Sequence, residues 1–103
     1  MEIYTLCIPR VLKDISCSKL RRLLVSSQLG NILSINEYNC NDDLYKKVVF
    51  TLGFNEKAEN SHLVSKCLNN NENIKLVYNY PWFWRIYINP QNNQSSSNIK
   101  AKY

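Results

Sequence analysis

Residues 74–89 read IKLVYNYPWFWRIYIN, and six of these sixteen residues are aromatic. Two runs, IKLVYN and WFWRIYIN, flank Tyr80-Pro81. Both are rich in the β-branched and aromatic residues that suit a pleated, half-buried surface, so both read as strands. Tyr80-Pro81 reads as a rigid turn between them, and the sequence leaves the isomer of its peptide bond open. Along residues 82–89, Trp84, Ile86 and Ile88 share one face, while Phe83, Arg85 and Tyr87 share the other. Ile86 and Ile88 belong in a core. Trp84 then goes with them and closes one end of it, and Phe83, Arg85 and Tyr87 face outward.

Working backwards, YKKVVFTL (residues 45–52) is a further strand. Val48, Phe50 and Leu52 make its core face, with Lys47, Val49 and Thr51 opposite, and Lys46-Lys47, like Arg21-Arg22, reads as a solvated face. NILSINEY (residues 31–38) is another, with Ile32 and Ile35 buried and a phase slip that calls for a bulge or bend. EIYTLCI (residues 2–8) opens the fold as a strand expected to stop at Pro9. Ile3, Thr5 and Cys7 share one of its faces, and Tyr4 and Leu6 the other. Between the first two strands, Ser16 is a fit N-cap for the helix CSKLRRLLVSSQL, and Ile15 can staple onto Leu20. Leu20, Leu23, Leu24 and Ser27 recur on one side, and Gly30 supplies a stop. Asn55 is placed to cap a second helix running to about Leu68, with Ala58, Leu63, Val64, Cys67 and Leu68 as its apolar positions. His62, the one histidine, reads as a partly exposed helix residue.

The order is strand, helix, strand, strand, helix, strand, with an extra strand before the last. That is the α+β ferredoxin-like plan, βαββαβ: a four-stranded antiparallel sheet with both helices on one face. The other face stays open and can carry function. Residues 1–89 form the one domain, and PQNNQSSSNIKAKY (residues 90–103), polar and without periodicity, reads as a flexible C-terminal tail.

The bulk numbers narrow the classes. A chain of 103 residues with 45% apolar and 20% charged residues suits one globular domain. The formal charge of +5 is compatible with an anionic partner. Residues 1–15 hold no leader-like apolar run, and no window has the length of a membrane span, so a soluble intracellular protein is expected. Cys7, Cys17, Cys40 and Cys67 are dispersed, without CxxC spacing or a histidine pair. They read as small apolar residues rather than a zinc site. A single histidine offers no Ser–His–Asp or Cys–His arrangement, and Asp42-Asp43 lies in a polar loop. The two glycines, Gly30 and Gly53, build no phosphate-cradling loop of the kind an acylphosphatase-like enzyme needs. A non-catalytic protein without metal or cofactor is the expectation. Usage rich in Asn, Lys, Ile and Tyr reads as AT-rich coding.

IYTLCIPRV, with Ile3, Tyr4 and Ile8 as aliphatic, aromatic and aliphatic positions, resembles the first-strand motif of the RNA recognition motif family. Leu20 in the following helix and Gly30-Asn31-Ile32 after it fit the same pattern, and the resemblance covers residues 2–89. The pairing of IYTLCIPRV with PWFWRI is also similar to small RRM-like proteins of large nucleocytoplasmic DNA viruses, whose AT-rich genomes this residue usage would suit. Such a giant-virus origin implies the host cytoplasm, a viral factory or the virion as location.

The family binds single strands by stacking bases on exposed rings of the first and third strands. Tyr4 matches the first-strand ring. The third strand departs from the pattern, because Lys47 and Val49 fall at its stacking positions. The resemblance therefore implies a compensating surface in which Phe83, Arg85 and Tyr87 lie beside Tyr4 and Lys47. Its ligand would be single-stranded nucleic acid, RNA in preference to DNA, with rings for bases and cations for phosphates. The alternative is a protein-interaction or virion module on the same face, homodimerisation included. Leu6 and Val49 beside Tyr4 and Tyr87 would supply its apolar patch.

Overall fold

The computed structural model describes residues 2–88. Its elements are β1 (Ile3–Leu12), α1 (Cys17–Ser26), β2 (Asn31–Asn39), β3 (Tyr45–Gly53), α2 (Ser61–Asn70), β4 (Ile74–Asn79) and β5 (Trp82–Ile88). The strands form a single open sheet of five, ordered β2-β3-β1-β5-β4, and every neighbouring pair is antiparallel. The expected four-stranded sheet is thus corrected to five, because the extra strand β4 pairs along β5 as the outer edge. The hairpin turns through Tyr80-Pro81, whose peptide bond is cis. Asn89 and the tail expected at 90–103 lie outside the described residues.

One face of the sheet is the core. Leu6 and Ile8 of β1, Val48, Phe50 and Leu52 of β3, and Ile86 of β5 are fully closed to solvent. Leu20 and Leu24 of α1 and Val64 and Cys67 of α2 belong to the same cluster, so both helices cover this one face. Trp84 is buried there too, and its ring stacks on Tyr78 at 4.4 Å between centroids. Tyr78 reaches that position at a register shift between Val77 and Asn79. Burial of these side chains is the main stabilising term, of order 2 kcal/mol for each large aliphatic group.

Four local expectations are corrected. β1 does not stop at Pro9. Proline has no N–H to give to either neighbour, and the β1–β3 register breaks between Ile8 and Val11, then resumes as Val11↔Lys46 and Leu12↔Tyr45. Gly30 is not the stop of α1. Ser27 is the C-cap, and Gln28 takes the left-handed conformation at φ 57°. Gly30 serves close approach instead: a Cβ there would meet the Gly53 carbonyl oxygen at 2.8 Å.

The second helix starts at Ser61, not after Asn55. The Asn55 side chain accepts the Lys57 N–H at 3.0 Å, a local turn that competes with helix. Asn60 then fastens the start of α2 to the end of α1, donating its side-chain N–H to the Ser27 carbonyl and its backbone N–H to the Gln28 carbonyl.

Lys46, expected with Lys47 on a solvated face, is buried. Strand alternation sends it to the helix side with Val48. There its Nζ donates to the Ile15 carbonyl at 2.6 Å and to Glu37 Oε1 at 2.8 Å. That hydrogen bond holds the Glu37 carboxyl below the ordinary carboxylate range, against the opposing effect of burial. Other details stand as read. Ser16 caps α1 by accepting the Lys19 N–H, Ile15 and Leu20 are buried together, and β2 is bulged between Ile32 and Ser34.

Candidate functional site

The uncovered face of the sheet is set by register. Cys7 pairs with Val49 on one side and with Tyr87 on the other, so these three project together. Thr5, Lys47 and Thr51 follow by alternation on β1 and β3, and Phe83 and Arg85 on β5. β4 adds Lys75 opposite Arg85 and Val77 opposite Phe83. On β2, Ser34 faces Thr51 and the two hydroxyls share a 2.7 Å hydrogen bond.

Five of the seven residues read from sequence therefore lie on this face: Lys47, Val49, Phe83, Arg85 and Tyr87. Tyr4 and Leu6 do not. Tyr4 pairs with Leu52 and Leu6 with Phe50, which puts both on the helix side. Leu6 is fully buried. Tyr4 is half-buried against the core, and its hydroxyl donates to Glu2 at 2.9 Å. Burial, and secondarily that carboxylate, push its phenol above the ordinary range. The physical reason is plain in β1 itself. Leu6 and Ile8 bury more apolar surface than Thr5 and Cys7, so they take the core face and carry Tyr4 with them.

The ring chemistry concentrates at the β4–β5 end. Phe83 is 38% exposed and Tyr87 43% exposed. Lys75 Nζ lies 4.4 Å from the Phe83 centroid and the Arg85 guanidinium carbon 5.4 Å from it, so one ring carries two cations. Arg85 also donates to Asn73 Oδ1 at 3.1 Å, which fixes part of its fork. Among the described residues the ion pairs are Lys46–Glu37 and Lys66–Glu72; none involves Lys47, Lys75 or Arg85. The positive charge of this face is thus not neutralised from within it.

Lys75 and Val77 were missed in the sequence: a two-residue turn at Tyr80-Pro81 alone would set them opposite Ile86 and Trp84, and it is the register shift at Tyr78 that brings them opposite Arg85 and Phe83. Thr5 and Cys7 were assigned a common face but not joined to Tyr87. Burial pushes the Cys7 thiol up, with Lys47 opposing, and burial also raises Cys67. Both remain thiols near neutral pH. Cys17 and Cys40 are exposed, so the reading of all four cysteines as packed apolar residues holds for the other two alone. Among the described residues no group of three or more His, Cys, Asp or Glu side chains could hold a metal ion, and no helix is long and apolar enough to cross a membrane.

At the Tyr87 end of this face a cleft of about 710 Å³ opens between β1 and β5, reaching from Pro9 and Arg10 across to Trp82 and Arg85. Nothing in the sequence reading anticipated it. In comparisons with protein-family models, curated proteins and solved structures, nothing matches this chain.

Proposed function

We propose that the chain is a non-catalytic binding module that holds single-stranded nucleic acid, RNA by preference, on the open face of its sheet. The fold we read is ferredoxin-like and RRM-like. β2-β3-β1-β5 corresponds to the four-stranded sheet of that plan, with β4 added at the edge. The observation that carries the function is the Phe83 ring with Lys75 and Arg85 over it, beside exposed Tyr87 and Lys47. Exposed rings accept bases by stacking, and unpaired cations take the phosphates. The rings sit on β5 rather than on the strands that the family uses. Sequence readout of the family's usual kind is therefore not part of the proposal. A giant-virus source, with a place in the host cytoplasm, viral factory or virion, remains part of this reading through the resemblance alone.

A second reading has its own observation. Half-buried Val49, Cys7 and 43%-exposed Tyr87 lie side by side across β3, β1 and β5 on this face, and Val77, 47% exposed, stands opposite Phe83. Such a patch suits a protein partner or a second copy of this chain. Salt separates the two. We expect a random-sequence single-stranded RNA to bind at micromolar or tighter affinity by fluorescence anisotropy, more weakly at near-physiological than at low salt, and more tightly than duplex DNA. Absence of binding at low salt by the folded protein would remove the nucleic-acid reading and leave the apolar interface.

A further inference from the structure

The seam between β1 and β5 ends on its hairpin side for a reason visible in the sequence. Among the described residues its pairs are Leu6↔Ile88 and Cys7↔Tyr87. Two residues further along β1 comes Pro9, which cannot donate to a ladder, and after it the bulge keeps Val11 and Leu12 on β3. β5 meanwhile continues with β4 through Ile86, Arg85, Trp84 and Phe83. The two strands part, and the cleft lies between them.

Its walls differ. On one side Arg10 is held 4.6 Å from the centroid of the Tyr45 ring. On the other stand Trp82, 64% exposed at the hairpin turn, and Arg85. Buried Trp84, backed by Tyr78, closes the bottom, and Lys19 of α1 completes the lining. Asp14 is the one carboxylate among the lining residues, against three cations. Among the described residues no ion pair involves Arg10, Lys19 or Arg85. A volume of about 710 Å³ falls within the range of small-molecule sites, and the cleft is half open to solvent. Rings on both walls, with an excess of positive charge, fit a ligand that is planar and aromatic at one end and anionic at the other.

We propose that this cleft holds one unstacked nucleotide, its base against the Trp82 and Tyr45 rings and its phosphate toward Arg10 and Lys19. The inference rests on the open-face reading, since the cleft adjoins that face at Tyr87 and Arg85 and would take a nucleotide of the same strand. The positioning is chemical: stacking admits any base, and the guanidinium and ammonium groups demand the phosphate.

Both tryptophans of the chain line the cleft, so their indole N–H resonances report on it, and the Trp82, Arg10 and Lys19 variants separate it from the open face. The labelled full chain is titrated with adenosine and uridine monophosphates, with the matching nucleosides, and with inorganic phosphate. The expected result is saturable movement of both indole signals with either nucleotide, binding at least about tenfold weaker for the nucleosides, and no movement with phosphate alone. Trp82→Ala should weaken nucleotide binding, and Arg10→Ala with Lys19→Ala should erase the preference for nucleotide over nucleoside. All three side chains are exposed, so these variants leave the core intact. Immobile indole signals, or equal affinity for nucleotide and nucleoside, would overturn the inference. The two readings fail separately. An oligonucleotide whose binding needs Lys47 and Lys75 but ignores Arg10, Lys19 and Trp82 sinks the cleft and spares the open face. Mononucleotide binding without oligonucleotide binding does the reverse.

Discussion

The two faces of this sheet are made from alternate residues of the same strands and are opposite in chemistry. Leu6, Ile8, Val48, Phe50 and Ile86 on the helix side are sealed from water. Their immediate neighbours Cys7, Lys47, Val49, Arg85 and Tyr87 stand on the side opposite the two helices, which none of the described elements covers. A strand has a period of two, so a sequence cannot commit one face to packing without offering the other to something else. The difference teaches where each residue's effect should appear. On the helix side, truncation should be felt in stability; on the open side, it should be felt in binding.

The sharpest way to break that contrast is in the core. Phe50→Ala should destabilise the fold by about 3–5 kcal/mol, read as a lower midpoint in chemical denaturation. A loss below about 1 kcal/mol would mean the covered face is not the core. Leu6→Ala should follow at about 2–5 kcal/mol, and this variant matters more, because an exposed Leu6 would lose almost nothing.

On the open face, Tyr87→Ala should leave the denaturation midpoint nearly unchanged. It should reduce affinity for single-stranded RNA by about 1–3 kcal/mol in anisotropy titrations. Loss of folding in this variant would show that Tyr87 packs.

The smaller expected effect lies at the sheet's margin, where Lys46 is drawn to the covered side. Glu37→Gln should destabilise by about 1–2 kcal/mol at neutral pH. The Glu37 carboxyl is held below its ordinary range, mainly by the Lys46 hydrogen bond. Its contribution is therefore full above the unfolded carboxylate pKa, and it is lost as pH falls through the lower, folded value. The gap between wild type and Glu37→Gln, followed by urea unfolding across the acid range, should close as the solution becomes more acid. A gap that widens toward low pH would contradict the assignment.

Much of this was legible in residue order. Val48, Phe50 and Leu52 alternate so regularly that β3 has one reading. Trp84, Ile86 and the turn at Tyr80-Pro81 fix the last hairpin and its outward rings. What stayed hidden depends on contacts far apart in the chain. β1 is apolar on both faces, so alternation alone does not say whether Tyr4 or Cys7 looks out; pairing with Val49 and Tyr87 decides it. Lys46 reads as solvated beside Lys47 until Glu37 and the Ile15 carbonyl are brought to it. Pro9 reads as a strand end, whereas it marks a bulge, and the cleft that opens beyond it exists only once β1 and β5 are side by side.

The central claim is that nucleic acid lies on the uncovered face. Backbone amide shifts of the labelled protein, followed during titration with a short single-stranded RNA, test it residue by residue. The account predicts movement at Lys47, Val49, Lys75, Phe83, Arg85 and Tyr87, and none at Arg21, Arg22 and Lys66 on the outer surface of the helices. Shifts confined to those helix residues, or none at all, would contradict it.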